Sequence, residues 1–465
     1  MARDSDDAVP IESWDELAAD IEAGEKPPER WRIGTEHEKF PFYQDDLAPV
    51  PYEADAKGRP GIRAVLEGMR DLDHWVPIED AGRIIGLAEP DGAKGPGGAI
   101  SLEPGGQFEL SGAPLETIHQ TCSEANQHLE HLRSVAEPMG IGFLGVGFDP
   151  LRRREDVPLM PKRRYEIMRG YMPRVGEHGL DMMLRTCTVQ VNLDFASEAD
   201  MVVKMRASIA LQPIATALFA NSPFREGAPT DAVSLRSRMW RDTDPARTGM
   251  IPFVFDEGFG YQAYVDYALD VPMYFVKRGD TYHDVSGASF RQFLESGLDA
   301  LPGERPTHSD WTNHVSTIFP EVRLKRFLEM RGADGAPWRR ICALPAFWVG
   351  LLYDEEALGE ALELVSGWSA EQRQALRDAV PETGLKGVVE GIDVHATARR
   401  AVAIARDGLA RRARMGWAGE DETSFLDPVL EVAESGITPA ERLLERYHGA
   451  WNGSVAPLYA EKAYY

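Results

Sequence analysis

The chain has 465 residues, 43% of them hydrophobic, enough to bury a large core and too many for a minimal module. Fifty Lys and Arg against 75 Asp and Glu leave a formal net charge of −25, which excludes the basic footprint that nucleic acid or an anionic membrane surface would require. Cys122, Cys187 and Cys342 lie far apart, so they form neither a metal-ligand spacing nor a disulfide framework, and a reducing cytoplasm is expected.

Residues 1–10 read as a mobile tail without the apolar segment of a secretory signal. Residues 11–465 read as a single domain, since neither an internal repeat nor a low-complexity linker interrupts them. The first element is a helix, with a capping box at Ser13-Trp-Asp-Glu16 and Gly24 placed to end it. In Arg32-Ile-Gly-Thr-Glu-His-Glu-Lys-Phe40, Glu36 and Glu38 stand two apart, so an extended chain points both carboxylates the same way. Along Ser101 to Ser111, Gln107, Glu109 and Ser111 share a face opposite Phe108 and Leu110, and Glu103 precedes a Pro104-Gly105-Gly106 bend. A second helix is predicted over Pro114–Ala136, where Leu115, Ile118, Cys122, Ala125, Leu129, Leu132 and Val135 recur at helical spacing. His119, His128 and His131 on it are read as surface or packing residues.

Gly140-Ile-Gly-Phe-Leu-Gly145 matches GxGxxG but follows a helix and leads into a strand, the reverse of a dinucleotide-binding turn. Thr186, Thr188, Gln190, Asn192 and Asp194 then alternate with Cys187, Val189, Val191, Leu193 and Phe195. Residues 201–220 read as a third helix despite Pro213. In Glu321 to Arg331, Glu329 and Arg331 oppose Val322, Leu324, Leu328 and Met330. The nearly apolar run Ile341–Tyr353 is too short to span a bilayer, and from about residue 355 the chain reads as mostly helical.

Four strands with acid or amide faces suggest a cage for hard divalent cations, with Arg331 supplying the positive charge that phosphoryl transfer also needs. Any half-buried antiparallel strand alternates in the same way, and periodicity does not say whether the four polar faces converge. A P-loop, a GxSxG elbow and an HExxH zinc pair are all absent.

The segments 32–40 and 101–115, with Met183-Leu-Arg-Thr-Cys-Thr-Val-Gln-Val-Asn192, Phe219-Ala-Asn-Ser-Pro-Phe224 and Phe319-Pro-Glu-Val-Arg-Leu-Lys-Arg-Phe-Leu-Glu-Met-Arg-Gly-Ala-Asp334, resemble the plant and proteobacterial type of glutamate–cysteine ligase. The likeness runs from about residue 10 to the end of the chain. It implies an α+β fold with a glutamine-synthetase-like curved antiparallel sheet, a funnel flanked by helices. It also implies an ATP-dependent ligase that joins L-cysteine to the γ-carboxylate of L-glutamate through a γ-glutamyl phosphate, the first step of glutathione synthesis.

By the same resemblance the metal ligands are Glu36, Glu38, Glu103, Glu109 and Glu329, with Gln190 where relatives carry histidine, and the cofactor is Mg²⁺, about two or three ions. Arg331 is the catalytic candidate that stabilises the transferred phosphoryl group. Arg236 and Arg247 are candidates for gripping substrate carboxylates or phosphates, with scaffolding an equal alternative for their loop. Plant relatives are associated with redox regulation, yet all three cysteines are expected to stay reduced here. A sister ligase with another amine acceptor, or a non-catalytic nucleotide-binding regulator of the same fold, are the alternatives; oligomeric state stays open.

Overall fold

Among the described residues, nine antiparallel strands form the frame of the protein. The computed structural model describes residues 9–90 and 97–464. Its main sheet contains β1 (Ile33–Tyr43), β2 (Val76–Asp80), β3 (Arg83–Ala88), β4 (Ala99–Leu102), β5 (Phe108–Ser111), β6 (Ile141–Leu144), β7 (Thr188–Leu193), β8 (Val322–Leu324) and β9 (Leu328–Asp334). The order is β8-β9-β7-β1-β5-β4-β3-β2, with β6 pairing the second half of β1. This is the large antiparallel sheet, mixed with helices, that the α+β reading expects.

The fourth acidic stretch is a hairpin rather than one strand. Lys325, Arg326 and Phe327 form the turn, and Leu324 pairs with Leu328. Opposed residues in an antiparallel pair point to the same side, so Val322, Leu324, Leu328 and Met330 still share the apolar face. The turn presses on Gly24, where an added Cβ would lie 2.2 Å from the Arg326 carbonyl oxygen. That close approach, as well as helix termination, accounts for the glycine.

The first helix spans Asp15–Glu22, and the Glu16 carboxylate accepts the N–H groups of Glu12 and Ser13. Of the proposed tail, residues 1–8 lie outside the described residues. Val9 and Pro10 are tied to 307–308 through the His308 N–H and a bridge to Thr307. The second helix runs Ile118–Ala136, starting later than Pro114 because Thr117 and Gln120 form a reciprocal capping box. It covers the outer side of β1 and β6. Gly140 follows with φ 69°, and the chain enters β6, the helix-then-strand order that rules out a dinucleotide turn.

The third helix, Glu198–Leu218, continues through Pro213. Proline removes one helix hydrogen bond there, but residues 207–218 are all buried, and their packing behind β9 carries the helix past it. Helices dominate from Trp338 onward, earlier than expected, with one small hairpin at Val388–Val389 and Ile392–Asp393. The helix Ala343–Leu352 is buried at every residue, a core element. No helix among the described residues is long and apolar enough to cross a membrane.

The expectation of three reduced cysteines is overturned. Cys122 and Cys342 form a disulfide, their Cα atoms 5.6 Å apart, which pins the 118–136 helix to the start of the 343–352 helix. Separation along the chain carries no information about such a tertiary approach. Cys187 is the buried thiol that its apolar position implies.

Candidate active site

Strand register brings the four polar stretches onto one face. Glu36 lies opposite both Ser111 and Gln190, Glu38 opposite Glu109, Glu109 opposite Ser101, and Glu329 opposite both Asn192 and Arg323. Each opposed pair shares a side of the sheet, so the carboxylates of β1, β5 and β9 converge. The resulting cleft is lined by Glu36, Glu38, Glu103, Glu109, Gln190, Arg236 and Arg331. Of the metal, catalytic and substrate candidates named from the sequence, Glu329 and Arg247 stand outside that lining.

Each acid has a distinct setting. Glu36 accepts a 2.9 Å bond from the Asn192 amide, and Glu38 accepts the Thr188 backbone N–H at 2.9 Å. Glu109 is held by the hydroxyls of Ser101 (2.8 Å) and Ser111 (2.6 Å). Glu103 sits at the bend, where its carbonyl accepts the Gly106 N–H and the Tyr165 hydroxyl donates to its carboxylate at 3.3 Å. Gly106 takes φ 88°, which the bend demands and glycine supplies.

Burial pushes the Glu36 carboxyl up, and repulsion from Glu329 and Glu109 adds to it. Glu38 is pushed well up by burial and then by Glu103 and Glu109, and Glu103 by burial and then Glu109. Glu329 goes the other way: burial opposes its charge, but Arg323, Lys325 and Arg331 hold it well below the usual carboxylate range. Arg323 grips it with two nitrogens, Lys325 reaches it at 2.7 Å, and Arg331 contacts both Glu329 and, at 2.5 Å, the Gln190 amide oxygen. Glu329 and Gln190 are therefore committed to cations of the chain.

Arg236 lies on the short helix Leu235–Met239 and donates to the Arg331 carbonyl at 2.7 Å, while its buried Nε has no partner. Arg247 is placed elsewhere. Its guanidinium is spent on Asp244 and on the carbonyls of Thr317 and Pro272, and it stacks 3.9 Å over Tyr274. The substrate-gripping expectation for Arg247 gives way to the scaffolding one, because its guanidinium is fully buried away from the cleft with each of its three nitrogens bonded inside the protein.

Several lining residues carried no sequence signal of their own. Arg323, Arg164, Tyr165 and Trp240 complete the wall, and the buried indole N–H of Trp240 has no partner. Of these only Arg323 was within reach, since recognising a three-residue turn after Leu324 would have set it across from Glu329. A second cavity, of about 520 Å³, lies behind the cleft and shares Glu36 and Arg323 with it. Its walls are Ile21, Tyr264, Trp311, Val315, Leu324 and Phe327, and its cations Arg323, Lys325 and Arg326.

Residues 32–461 match the model of the family described as glutamate-cysteine ligase family 2 (GCS2). The chain is 57% identical to a chloroplastic glutamate–cysteine ligase of Brassica juncea over 451 residues, 97% of this chain and 84% of the relative. It is 56% identical to that of Arabidopsis thaliana, covering 97% and 83%. Among solved structures it is similar in fold to a glutamate–cysteine ligase from Francisella tularensis in complex with AMP, with TM-score 0.51 and 12% identity over 93% of this chain and 87% of that one. The plant relatives are chloroplastic proteins, so the cytoplasmic expectation is not upheld. With these matches over nearly its whole length, the chain belongs to the glutamate–cysteine ligase family 2.

Proposed function

We propose that the acid-lined cleft and the cavity behind it are two halves of one active site. There the enzyme uses ATP to activate the γ-carboxylate of L-glutamate as an acyl phosphate, and the amine of L-cysteine displaces phosphate to give γ-glutamylcysteine, the first step of glutathione synthesis. The observation that carries this assignment is the shared wall: Glu36 and Arg323 face both spaces. The aromatic and aliphatic rim of the cavity suits a purine base, and its cations suit phosphates. The cleft suits the amino acids, with the free Nε of Arg236 and the indole N–H of Trp240 as donors to substrate carboxylates.

Mg²⁺ fits the residues present. Glu36, Glu38, Glu103 and Glu109 offer only oxygen donors, and three of them are raised by burial and by one another, the condition that an added divalent cation relieves. Among the described residues no three His, Cys, Asp or Glu stand close enough to form a finished coordination sphere, so these carboxylates would be drawn in from separate strands. Gln190 joins them only by giving up Arg331, whereas Glu329, gripped by Arg323 and Lys325 as well, stays with the chain's own cations. Bound there, Mg²⁺ would neutralise phosphate charge and keep attacking and leaving oxygens in line.

Arg331, released toward the cleft, stabilises the charge of the transferred phosphoryl group. Arg323 and Lys325 hold Glu329 ionised, which keeps that end of the site rigid. Among the described residues no cysteine lines the cleft: Cys122 and Cys342 are joined elsewhere and Cys187 is buried outside it. In this reaction the nucleophiles are the substrates' own carboxylate and amine, so the chain needs none of its own.

The test is phosphate release from ATP with Mg²⁺ and L-glutamate, with and without L-cysteine, and identification of the product by mass. Cysteine-dependent release with γ-glutamylcysteine is expected. Release dependent on a different amine would overturn the acceptor assignment.

A further inference from the structure

Asp334, at the end of β9, is 1% exposed and carries no chemistry in the proposal above. Its carboxylate nevertheless gathers three parts of the chain. One oxygen accepts the Asn221 backbone N–H at 2.7 Å and the Ser222 hydroxyl at 2.6 Å; the other accepts the Ser234 hydroxyl at 2.7 Å. The loop ahead of Phe148 approaches so closely that a Cβ at Gly147 would lie 2.4 Å from the Asp334 carboxyl carbon.

Both serines lead to Arg236. Ser234 caps the helix that bears it, accepting the Ser237 N–H. Ser222 accepts the Arg236 backbone N–H at 3.2 Å, and its carbonyl accepts that of Leu235 at 3.0 Å. The Arg236 guanidinium then returns to the carbonyl of Arg331, three residues before Asp334 on the same strand. The contacts form a closed ring: β9, two serines, the helix start, the guanidinium, and β9 again.

We infer that Asp334 is the positioning residue for Arg236: it fixes the first turn of the Leu235–Met239 helix against β9 and so aims the guanidinium at the substrate carboxylate in the cleft. A helix of five residues has too little internal hydrogen bonding to hold its own orientation, and a buried carboxylate with three donors is a rigid anchor. This rests on the assignment of Arg236 to a substrate carboxylate.

The test compares Asp334→Asn, Arg236→Gln and the double variant by steady-state kinetics in each substrate. Asp334→Asn is expected to raise KM for glutamate about 10- to 100-fold while kcat and KM for ATP stay close to the parent, and to add nothing on top of Arg236→Gln. Additive effects, or a glutamate KM unchanged by Asp334→Asn but raised by Arg236→Gln, would overturn the inference. A glutamate KM unchanged by Arg236→Gln would overturn the substrate assignment itself. Should Asp334→Asn not fold, Ser234→Ala and Ser222→Ala each remove one donor; a smaller rise in the same KM supports the ring, and no rise sinks it.

Discussion

The two faces of β1 bury charge with opposite consequences. On the cleft side, Glu36 and Glu38 are pushed upward by burial and by other acids, yet they face a space lined by Arg236, Arg323 and Arg331. On the other side, His37 and Lys39 are more deeply buried than the two acids, under the 118–136 helix, where burial pushes Lys39 down to about 7 and holds His37 and His128 well below their usual value. Lys39 meets His37 Nδ1 at 3.0 Å, while His37 Nε2 and both His128 nitrogens have no partner. Strand alternation would have put apolar residues there. Where a cation can enter, buried charge is kept for use; where none can, burial is resolved by neutralisation.

The sharpest break of this contrast is on the acid face. Glu36→Gln or Glu38→Gln should lower turnover by about 10²–10³-fold while thermal unfolding shows a chain at least as stable, because a carboxylate disfavoured by neighbouring acids is removed and the amide oxygen still accepts. Unchanged turnover in the phosphate-release assay would end the cation-cage reading.

Lys39→Met addresses the opposite face. The folded state holds Lys39 near 7 against 10.5 in the unfolded chain, so between those values the unfolded chain binds more protons and stability rises with pH. It is lowest below pH 7. The substitution should flatten that rise, at most about 3 kcal/mol between denaturant titrations at pH 7 and 9.5, with turnover near that of the parent. A parent whose stability falls over this range would contradict the neutral-lysine account.

Cys122→Ser, or reduction, should cost about 2–4 kcal/mol, because the disulfide closes a long loop and pins the helix that seals the back face. Equilibrium unfolding with and without reductant reads this directly. A smaller effect is expected at Glu124 on the same helix, whose carboxyl burial pushes up to about 7 while it accepts the Ala113 N–H at 2.7 Å. Its folded value exceeds the unfolded 4.5, so stability is lost as pH rises between the two. Glu124→Gln keeps the acceptor and should recover at most about 3 kcal/mol at pH 8 and nothing at pH 4.

Local pattern determined a good deal of this protein. Alternation of period two identified which side chains of 32–40, 101–111 and 186–195 travel together, helical spacing over Pro114–Ala136 located the helix seen at Ile118–Ala136, the run 201–220 was legible as the helix seen at Glu198–Leu218, and the long motifs pointed to the family. Only the tertiary structure decided which strands are neighbours, and hence that Glu36 meets Gln190 and Glu38 meets Glu109. It also decided that Arg323 rather than Arg247 faces the cleft, that Cys122 reaches Cys342, and that Asp334 anchors the helix of Arg236. The reason is physical: the repeat of a strand or helix is set by bonds between near neighbours in sequence, whereas the approach of residues a hundred or more apart depends on how whole faces pack.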